Sequence, residues 1–248
     1  MFSDPELYRR GCATMIASWE AYARGARGAV VRHLPGVVAA VFPHAPERAF
    51  YNNALLTGGP AATDRAAALE AMATAYAGAG VRHYAAWVHE TDTALRADLT
   101  RRGYTVESAM RAMGMALKDL DQEQPALDAG VLPWPDYVRQ FGLPAGFLAD
   151  ADLSGFHLRA ARLHGEQVAA ALAFDHDGDC GIYNVETLEH ARRRGLGTAL
   201  TLRQLHEARA RGCATATLQA TPMAERVYAA AGFRDLGQIL EYVPRYNG

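Results

Sequence analysis

Arg192, Arg193, Arg194, Gly195 and Gly197 crowd one short stretch of this chain, "HARRRGLGTALTL" (190–202). These residue types point to an anion. Guanidinium groups make charge-assisted, often bidentate bonds to phosphate oxygens. Glycine lets a ligand approach the backbone with no Cβ in the way. Immediately downstream, "TALTLRQLHEARARG" (198–212) predicts a helix with Leu202, Leu205 and Ala208 on one face and Gly212 as its stop. A helix N-terminus carries unpaired N–H groups and a partial positive charge, so a pyrophosphate is a natural guest of this segment. Two common phosphate loops do not fit. A P-loop needs a lysine and a hydroxyl after its last glycine, whereas Gly197 is followed by Thr198 and Ala199. A dinucleotide fingerprint needs glycine or alanine three residues after the second glycine, where Leu200 stands.

A second group of candidate ligands lies in "FDHDGDCG" (174–181), with Asp175, His176, Asp177 and Asp179. The Asp-Gly pair between apolar runs predicts a β-hairpin. The segment lacks the calcium-loop pattern and its terminal glutamate, so a solvated hairpin tip is expected and no metal. The three cysteines, Cys12, Cys180 and Cys213, are too few and too scattered for a disulfide framework or a zinc site. They are expected as buried small hydrophobes in a reducing compartment.

Elements must position these residues, and the composition supports a packed core. Of 248 residues, 50% are hydrophobic and 21% charged. A net charge of −2 argues against a dedicated nucleic-acid binder. The first residues, "MFSDPELYRRG", lack a signal-peptide core, and no apolar run approaches the length of a membrane span. A cytoplasmic protein with no membrane or nucleic-acid partner is expected.

The polar stretch "KDLDQEQPALDAG" (118–130) reads as a linker between two halves that echo each other. "YAGAGVRHYAAWV" (76–88) and "ARARGCATATLQA" (208–220) each predict a helix end, a glycine and a strand. "ALRADLTRRGYTV" (94–106) and "AERVYAAAGFRDL" (224–236) each predict a short helix, a glycine, an aromatic residue and a strand, so a duplicated domain is expected. In the second half strands are predicted at 156–163, 168–174, 181–187 and 213–220, a short helix at 223–232 and a closing strand pair or one long strand at 233–243. This order describes a mixed α/β sheet. Trp19, Trp87 and Trp134 are expected as core or interface aromatics.

At this point a resemblance can be named. "NVETLEHARRRGLGTALT" resembles the acetyl-CoA-binding segment of the GNAT N-acetyltransferase superfamily, whose signature is Q/R-x-x-G-x-G/A after a splayed strand. Arg192, Gly195 and Gly197 fill its fixed positions. "YAAAGF", with Tyr228, Gly232 and Phe233, is similar to the family's Y-x-x-x-G-F element, and one helix and one strand separate the two motifs, as the family requires. The likeness covers about residues 130 to 245.

The resemblance implies an α/β fold of two tandem GNAT-like acyl-CoA N-acyltransferase domains: a degenerate one at 1–120 and a catalytic one at 126–248. It implies acetyl-CoA as cofactor and a primary amine, small-molecule or peptide, as acceptor, with direct transfer in a ternary complex. Main-chain groups of Val185, Glu186, Thr187 and Leu188 would pair with the pantetheine arm. N–H groups from Arg193 through Arg194, Gly195, Leu196 and Gly197 to Thr198 would hold the pyrophosphate. Thr221 sits where the family often has an asparagine or serine touching the cofactor. A backbone N–H within 186–188 would polarise the thioester carbonyl, and Tyr228 would return a proton to the leaving thiolate.

For the base, Glu186 leads. An exposed structural carboxylate is an equal reading of it, His190 lies nearby, and water alone can serve. The first half departs from the pattern: "LLTGGPAATDRAAAL" (55–69) has glycines without the arginines, and Leu99 stands where Tyr228 does in the second. Asn52 or Asn53 is a candidate to line the acceptor cleft. Two other readings stand beside catalysis: a non-catalytic acyl-CoA-binding or sensor module, and a protein-interaction domain pair. Both a monomer and a homodimer are compatible with the sequence.

Overall fold

The structure is a computed structural model that describes residues 2–44, 51–57, 59, 61–140 and 153–245. In chain order the first elements are α1 (Asp4–Arg24), β1 (Val30–Leu34), β2 (Val37–Val41), β3 (Asn53–Leu56), α2 (Ala62–Gly78), β4 (Ala85–His89), α3 (Thr93–Arg101) and β5 (Tyr104–Ala116). There follow β6 (Ala129–Val131), α4 (Trp134–Gln140), β7 (Phe156–Leu163), β8 (Glu166–His176), β9 (Asp179–Thr187), α5 (Leu196–Arg211), β10 (Thr215–Ala220), α6 (Glu225–Ala230) and β11 (Arg234–Pro244). Short 3₁₀ turns occupy Leu117–Asp119 and Glu189–Ala191. The expected linker is irregular apart from the first of these turns and the start of β6. The order helix, glycine, strand, short helix, glycine, strand recurs as α2-β4-α3-β5 and α5-β10-α6-β11. Among the described residues, no helix is long and apolar enough to cross a membrane.

By its contacts the chain divides into two compact units that interleave along the sequence. The first holds the described residues of 1–17, 112–140 and 153–236, and the second those of 18–111 and 237–245. Both are mixed α/β. In the second unit the strands run β1-β2-β3-β4-β11-β5. Pairing is antiparallel from β1 to β3 and parallel between β3 and β4. The last strand of the sequence then pairs antiparallel with β4, from Ile239 opposite His89 to Tyr242 opposite Ala86. Leu69, Met72 and Tyr76 of α2 and Leu95 and Leu99 of α3 pack on Ala39, Val41, Ala86 and Val88. The Asp92 side chain caps α3 by accepting from the Leu95 N–H at 3.0 Å.

In the first unit the order is β5-β10-β9-β8-β7-β6. β6 to β9 are antiparallel neighbours, and β9 and β10 are parallel. Helix α5 has two apolar edges. Leu196 and Leu200 join Ala169 and Ala171 of β8, while Leu202, Leu205 and Ala208 join Ile182, Ala216 and Leu218. The predicted face of Leu202, Leu205 and Ala208 is therefore buried, and a second apolar edge lies beside it.

The β8-β9 hairpin corrects one expectation. Its tip is a two-residue turn of Asp177 and Gly178, with φ of 46° and 70°, as the Asp-Gly pair requires. Asp179, however, is 1% exposed rather than solvated. Its carboxylate accepts from the hydroxyls of Thr14 (2.7 Å), Thr215 (2.6 Å) and Thr217 (2.7 Å). Asp175 is likewise engaged, by Arg211 at 2.5 and 2.9 Å and by His157 at 3.1 Å. Burial works to raise its pKa, but the bonds from Arg211 and His157 outweigh it and hold the carboxyl well below the usual range. Asp179→Ala leaves three buried hydroxyls without their acceptor, so it is expected to lower unfolding stability by about 3 kcal/mol. Urea denaturation followed by circular dichroism measures this, and a loss below about 1 kcal/mol would contradict the network's role.

Of the cysteines, Cys180 and Cys213 are buried as expected, whereas Cys12 is half-buried. All three are free thiols, and burial pushes the Cys12 thiol up to about 11. Trp19 meets Trp87 edge to face, with centroids 6.0 Å apart, and Trp134 stacks on Tyr137.

Candidate functional site

Strands β9 and β10 pair for only four residues, from Asp179 opposite Thr215 to Ile182 opposite Leu218, although β9 continues to Thr187 and β10 to Ala220. Just past the last pair, β9 bulges. Tyr183 lies opposite Leu172 and Glu186 opposite Ala170, so Asn184 and Val185 together face Ala171. Asn184 takes a left-handed φ of 48°, which asparagine tolerates better than most side chains. Beyond the bulge, the Leu188 N–H donates to the Val168 carbonyl at 2.8 Å. The alternation of antiparallel bonding then directs the Thr187 N–H to the opposite edge, away from β8. Of the N–H groups expected to polarise a carbonyl, Leu188's is therefore already committed and Thr187's faces the open edge.

The arginine-glycine loop starts where β9 ends. Arg192 does not reach outward with its whole side chain. Its Nε donates to the Thr187 carbonyl at 3.1 Å and ties the loop back to the strand. Arg193 sits at φ 62°, and Gly195 at φ 75° precedes the first turn of α5. A Cβ on Gly195 would meet no atom, so glycine is required there for its backbone and not for space. Gly197 is the reverse case. A Cβ there would lie 3.6 Å from Val185 Cγ1 and 3.8 Å from Thr187 Oγ1, in the gap between the helix start and β9.

Arg193 and Arg194 are exposed, Thr198 is half-buried, and Leu196 turns its side chain into the core. The first turn of α5 holds no acidic residue. Its free N–H groups and its dipole thus face solvent beside two guanidinium groups.

Tyr228 on α6 is 9% exposed and packs edge to face on Phe233, with centroids 6.0 Å apart. It belongs to the apolar cluster against which Val185 packs. Its hydroxyl makes no hydrogen bond among the described residues, and burial pushes its pKa up to about 12. Thr221 is exposed at the turn before α6, where its carbonyl accepts from the Ala224 and Glu225 N–H groups. Glu186 is exposed and shares a face with its partner Ala170. His190 is exposed, 3.7 Å from Glu166.

Sequence reasoning missed Tyr137, a buried residue on α4 whose hydroxyl accepts from Asn184 Nδ2 at 2.6 Å. The available signal was an asparagine inside a strand of β-forming residues, "IYNVE", which marks a bulge.

The corresponding loop of the first half differs. Gly58 and Pro60 lie outside the described residues, but a Cβ on Gly59 would meet Asp64 Cβ at 2.6 Å. Asp64 puts a negative charge in the first turn of α2, which disfavours an anion there. Arg65 is paired with Asp98 at 2.7 Å. Asn52 turns inward and is fully buried; its amide accepts from the Phe42 N–H at 2.7 Å. Asn53 is buried too, so neither asparagine is presented to a cleft from an exposed position.

Residues 115–233 match the model of the acetyltransferase (GNAT) family, and this segment is a GNAT acetyltransferase-family domain. No curated protein sequence matches the chain significantly. Among solved structures the chain is similar to a GCN5-related N-acetyltransferase from Kribbella flavida, with 20% identity, 96% of each chain covered and a TM-score of 0.70. It is also similar to a functionally unknown conserved protein from Staphylococcus epidermidis, with 13% identity, 85% of this chain and 91% of that one covered and a TM-score of 0.63. A GCN5-related N-acetyltransferase-like protein from Streptococcus suis shows 15% identity, 98% and 100% coverage and a TM-score of 0.59. At these identities the likeness is one of fold.

Proposed function

We propose that the chain is an acetyl-CoA-dependent N-acetyltransferase with one working site, in its C-terminal half. The observation that carries this reading is the open edge of β9 beyond Ile182, which leads directly into an arginine-glycine loop at the start of α5. The residues fit the cofactor. The edge of β9 beyond Ile182 is open to an extended arm, the α5 N-terminus with Arg193 and Arg194 suits a pyrophosphate, and Gly197 leaves the gap between them clear. Acetyl-CoA, when bound, supplies an activated acyl thioester.

The chain's own groups perform the remaining tasks. The Thr187 N–H polarises the acyl carbonyl and the Tyr228 hydroxyl holds the proton that a departing thiolate requires. Glu186, on the exposed face of the bulged strand, draws a proton from the incoming ammonium group directly or through water. A primary amine, of a small molecule or a peptide, is the acceptor, and it attacks directly in a ternary complex. The recurring element order makes the first half a degenerate copy of the second, and Asp64 and Leu99 stand where a working copy needs an anion-binding turn and a tyrosine.

Calorimetric titration with acetyl-CoA is expected to show micromolar binding at one site per chain, followed by turnover with at least one of a polyamine, an aminoglycoside and a peptide N-terminus. Two sites per chain would restore function to the first half. Binding without turnover across an extended amine panel would favour a sensor module. No binding would leave a protein-interaction pair.

A further inference from the structure

Resting on that reading, we propose that Tyr137 and Asn184 form a positioning pair that fixes the bulge of β9, and through it the aim of the Thr187 N–H and the Glu186 side chain. Neither residue touches the reacting atoms; both act through the backbone between them and the site.

The geometry supports this in three ways. First, the bulge sets the phase of everything after it. Two residues, Asn184 and Val185, stand against Ala171 alone, so removing the extra residue would turn residues 186–187 over. The Thr187 N–H would then face β8 and the Glu186 carboxylate would move to the other face of the strand. Second, Asn184 is held in a left-handed conformation within a strand. The other non-glycine residues with positive φ among those described, His164, Asp177 and Arg193, all lie in turns or loops. A strand residue in that region persists only where its surroundings over-determine it.

Third, a side-chain bond from distant sequence holds it. Asn184 Nδ2 donates to Tyr137 Oη at 2.6 Å, and Tyr137 is 3% exposed and stacked on Trp134 with centroids 5.1 Å apart. The tyrosine is rigidly placed, so its hydroxyl is a fixed post for the asparagine. Burial pushes the Tyr137 hydroxyl up, and the negative charge of Glu186 adds to it in the same direction, so the hydroxyl stays protonated as the acceptor of the Asn184 amide.

The test uses the full chain and two variants. Tyr137→Phe removes one oxygen and keeps the stack on Trp134. Asn184→Gly keeps access to the left-handed backbone and removes the amide. With acetyl-CoA and an amine that the wild type accepts, each variant is expected to lose about tenfold in kcat. The calorimetric Kd for unacylated coenzyme A stays within about twofold, because the pyrophosphate loop is untouched. The double variant should be no worse than either single one, as expected for residues acting as a unit.

Wild-type kcat in Tyr137→Phe, additive losses in the double variant, or loss of coenzyme A affinity in step with kcat would each overturn the proposal. Amide hydrogen exchange gives a readout that needs no turnover. Exchange in the peptide covering 183–188 should accelerate in both variants, while that of β7 and the first half of β8 is unchanged. If the wild type proves inactive, the acetyltransferase reading fails on its own. Unchanged exchange at 183–188 then overturns the positioning pair independently.

Discussion

Gly197→Trp is expected to lower affinity for acetyl-CoA by at least about a hundredfold and to leave the free protein folded. The argument is geometric. At 3.6 Å from Val185 Cγ1 and 3.8 Å from Thr187 Oγ1, a Cβ at this position is in ordinary contact, so the backbone accepts a side chain without strain. An indole built outward from that Cβ fills the gap between the α5 N-terminus and the open edge of β9. The protein loses little, because the gap holds none of its own side chains against Gly197 closer than those two atoms. A ligand that must run along β9 and place its phosphates on α5 loses its path.

Arg194→Ala is the milder companion. One charge-assisted phosphate contact is worth about 1.5–3 kcal/mol, so a loss of roughly ten- to a hundredfold is expected. Calorimetry with acetyl-CoA, with thermal melts of the unliganded variants, separates the outcomes. Wild-type affinity in Gly197→Trp would mean that the ligand does not use this gap, and the site would have to be sought elsewhere.

Tyr228→Phe should lower kcat by about a hundredfold, within the range for loss of a positioned proton donor, while KM for acetyl-CoA moves less than about threefold. Two observations make this a clean substitution. The ring packs on Phe233, which phenylalanine retains, and the hydroxyl makes no hydrogen bond among the described residues that its removal would break. With its pKa pushed up to about 12 by burial, the hydroxyl keeps its proton through the whole neutral range. The kcat profile should therefore show no alkaline limb from this group below about pH 11.

The stability consequence has a definite sign. The folded value lies above that of an unfolded tyrosine, about 10. The contribution is thus intact below pH 10 and is lost as pH rises toward 12. The phenylalanine variant should lose less stability across that window, as chemical denaturation at pH 9 and 11 would show. An unchanged kcat would remove Tyr228 from the chemistry and leave it a packing residue.

How much of this was legible in the sequence depended on how local each feature is. The boundaries of β7 and α5 followed closely from alternation, a glycine stop and the apolar spacing of Leu202, Leu205 and Ala208, all of which act within a turn or a strand. The loop at 192–197 was readable because its glycines and arginines lie within one short stretch directly ahead of a helix. Asp179 was misplaced because its burial depends on Thr14, far away in sequence on α1, a helix that the reading of the first residues did not find. Tyr137 was invisible for the same reason: nothing in "WPDYVRQ" announces that its hydroxyl will meet Asn184. Arg192 shows a subtler limit. The sequence places it in an arginine-glycine loop, but one of its nitrogens serves the Thr187 carbonyl, a role that only the turn geometry reveals.

The pairing of β11 with β4 has a consequence for synthesis on the ribosome. β4 ends at His89, and the partner that covers its edge begins at Ile239. At about 5–20 residues per second, that edge stays open for roughly 10 s or more while the intervening chain is made. Nascent β4 thus presents unpaired N–H and C=O groups to the crowded surroundings of the polysome, the condition under which strands from neighbouring chains zip together. β11 therefore acts as a late clasp. A stop codon or frameshift at the start of β11, which leaves the loop and the tyrosine in the chain, would release a product that keeps the local signals of the preceding elements yet is prone to aggregate, with its yield set by chaperone supply more than by intrinsic stability.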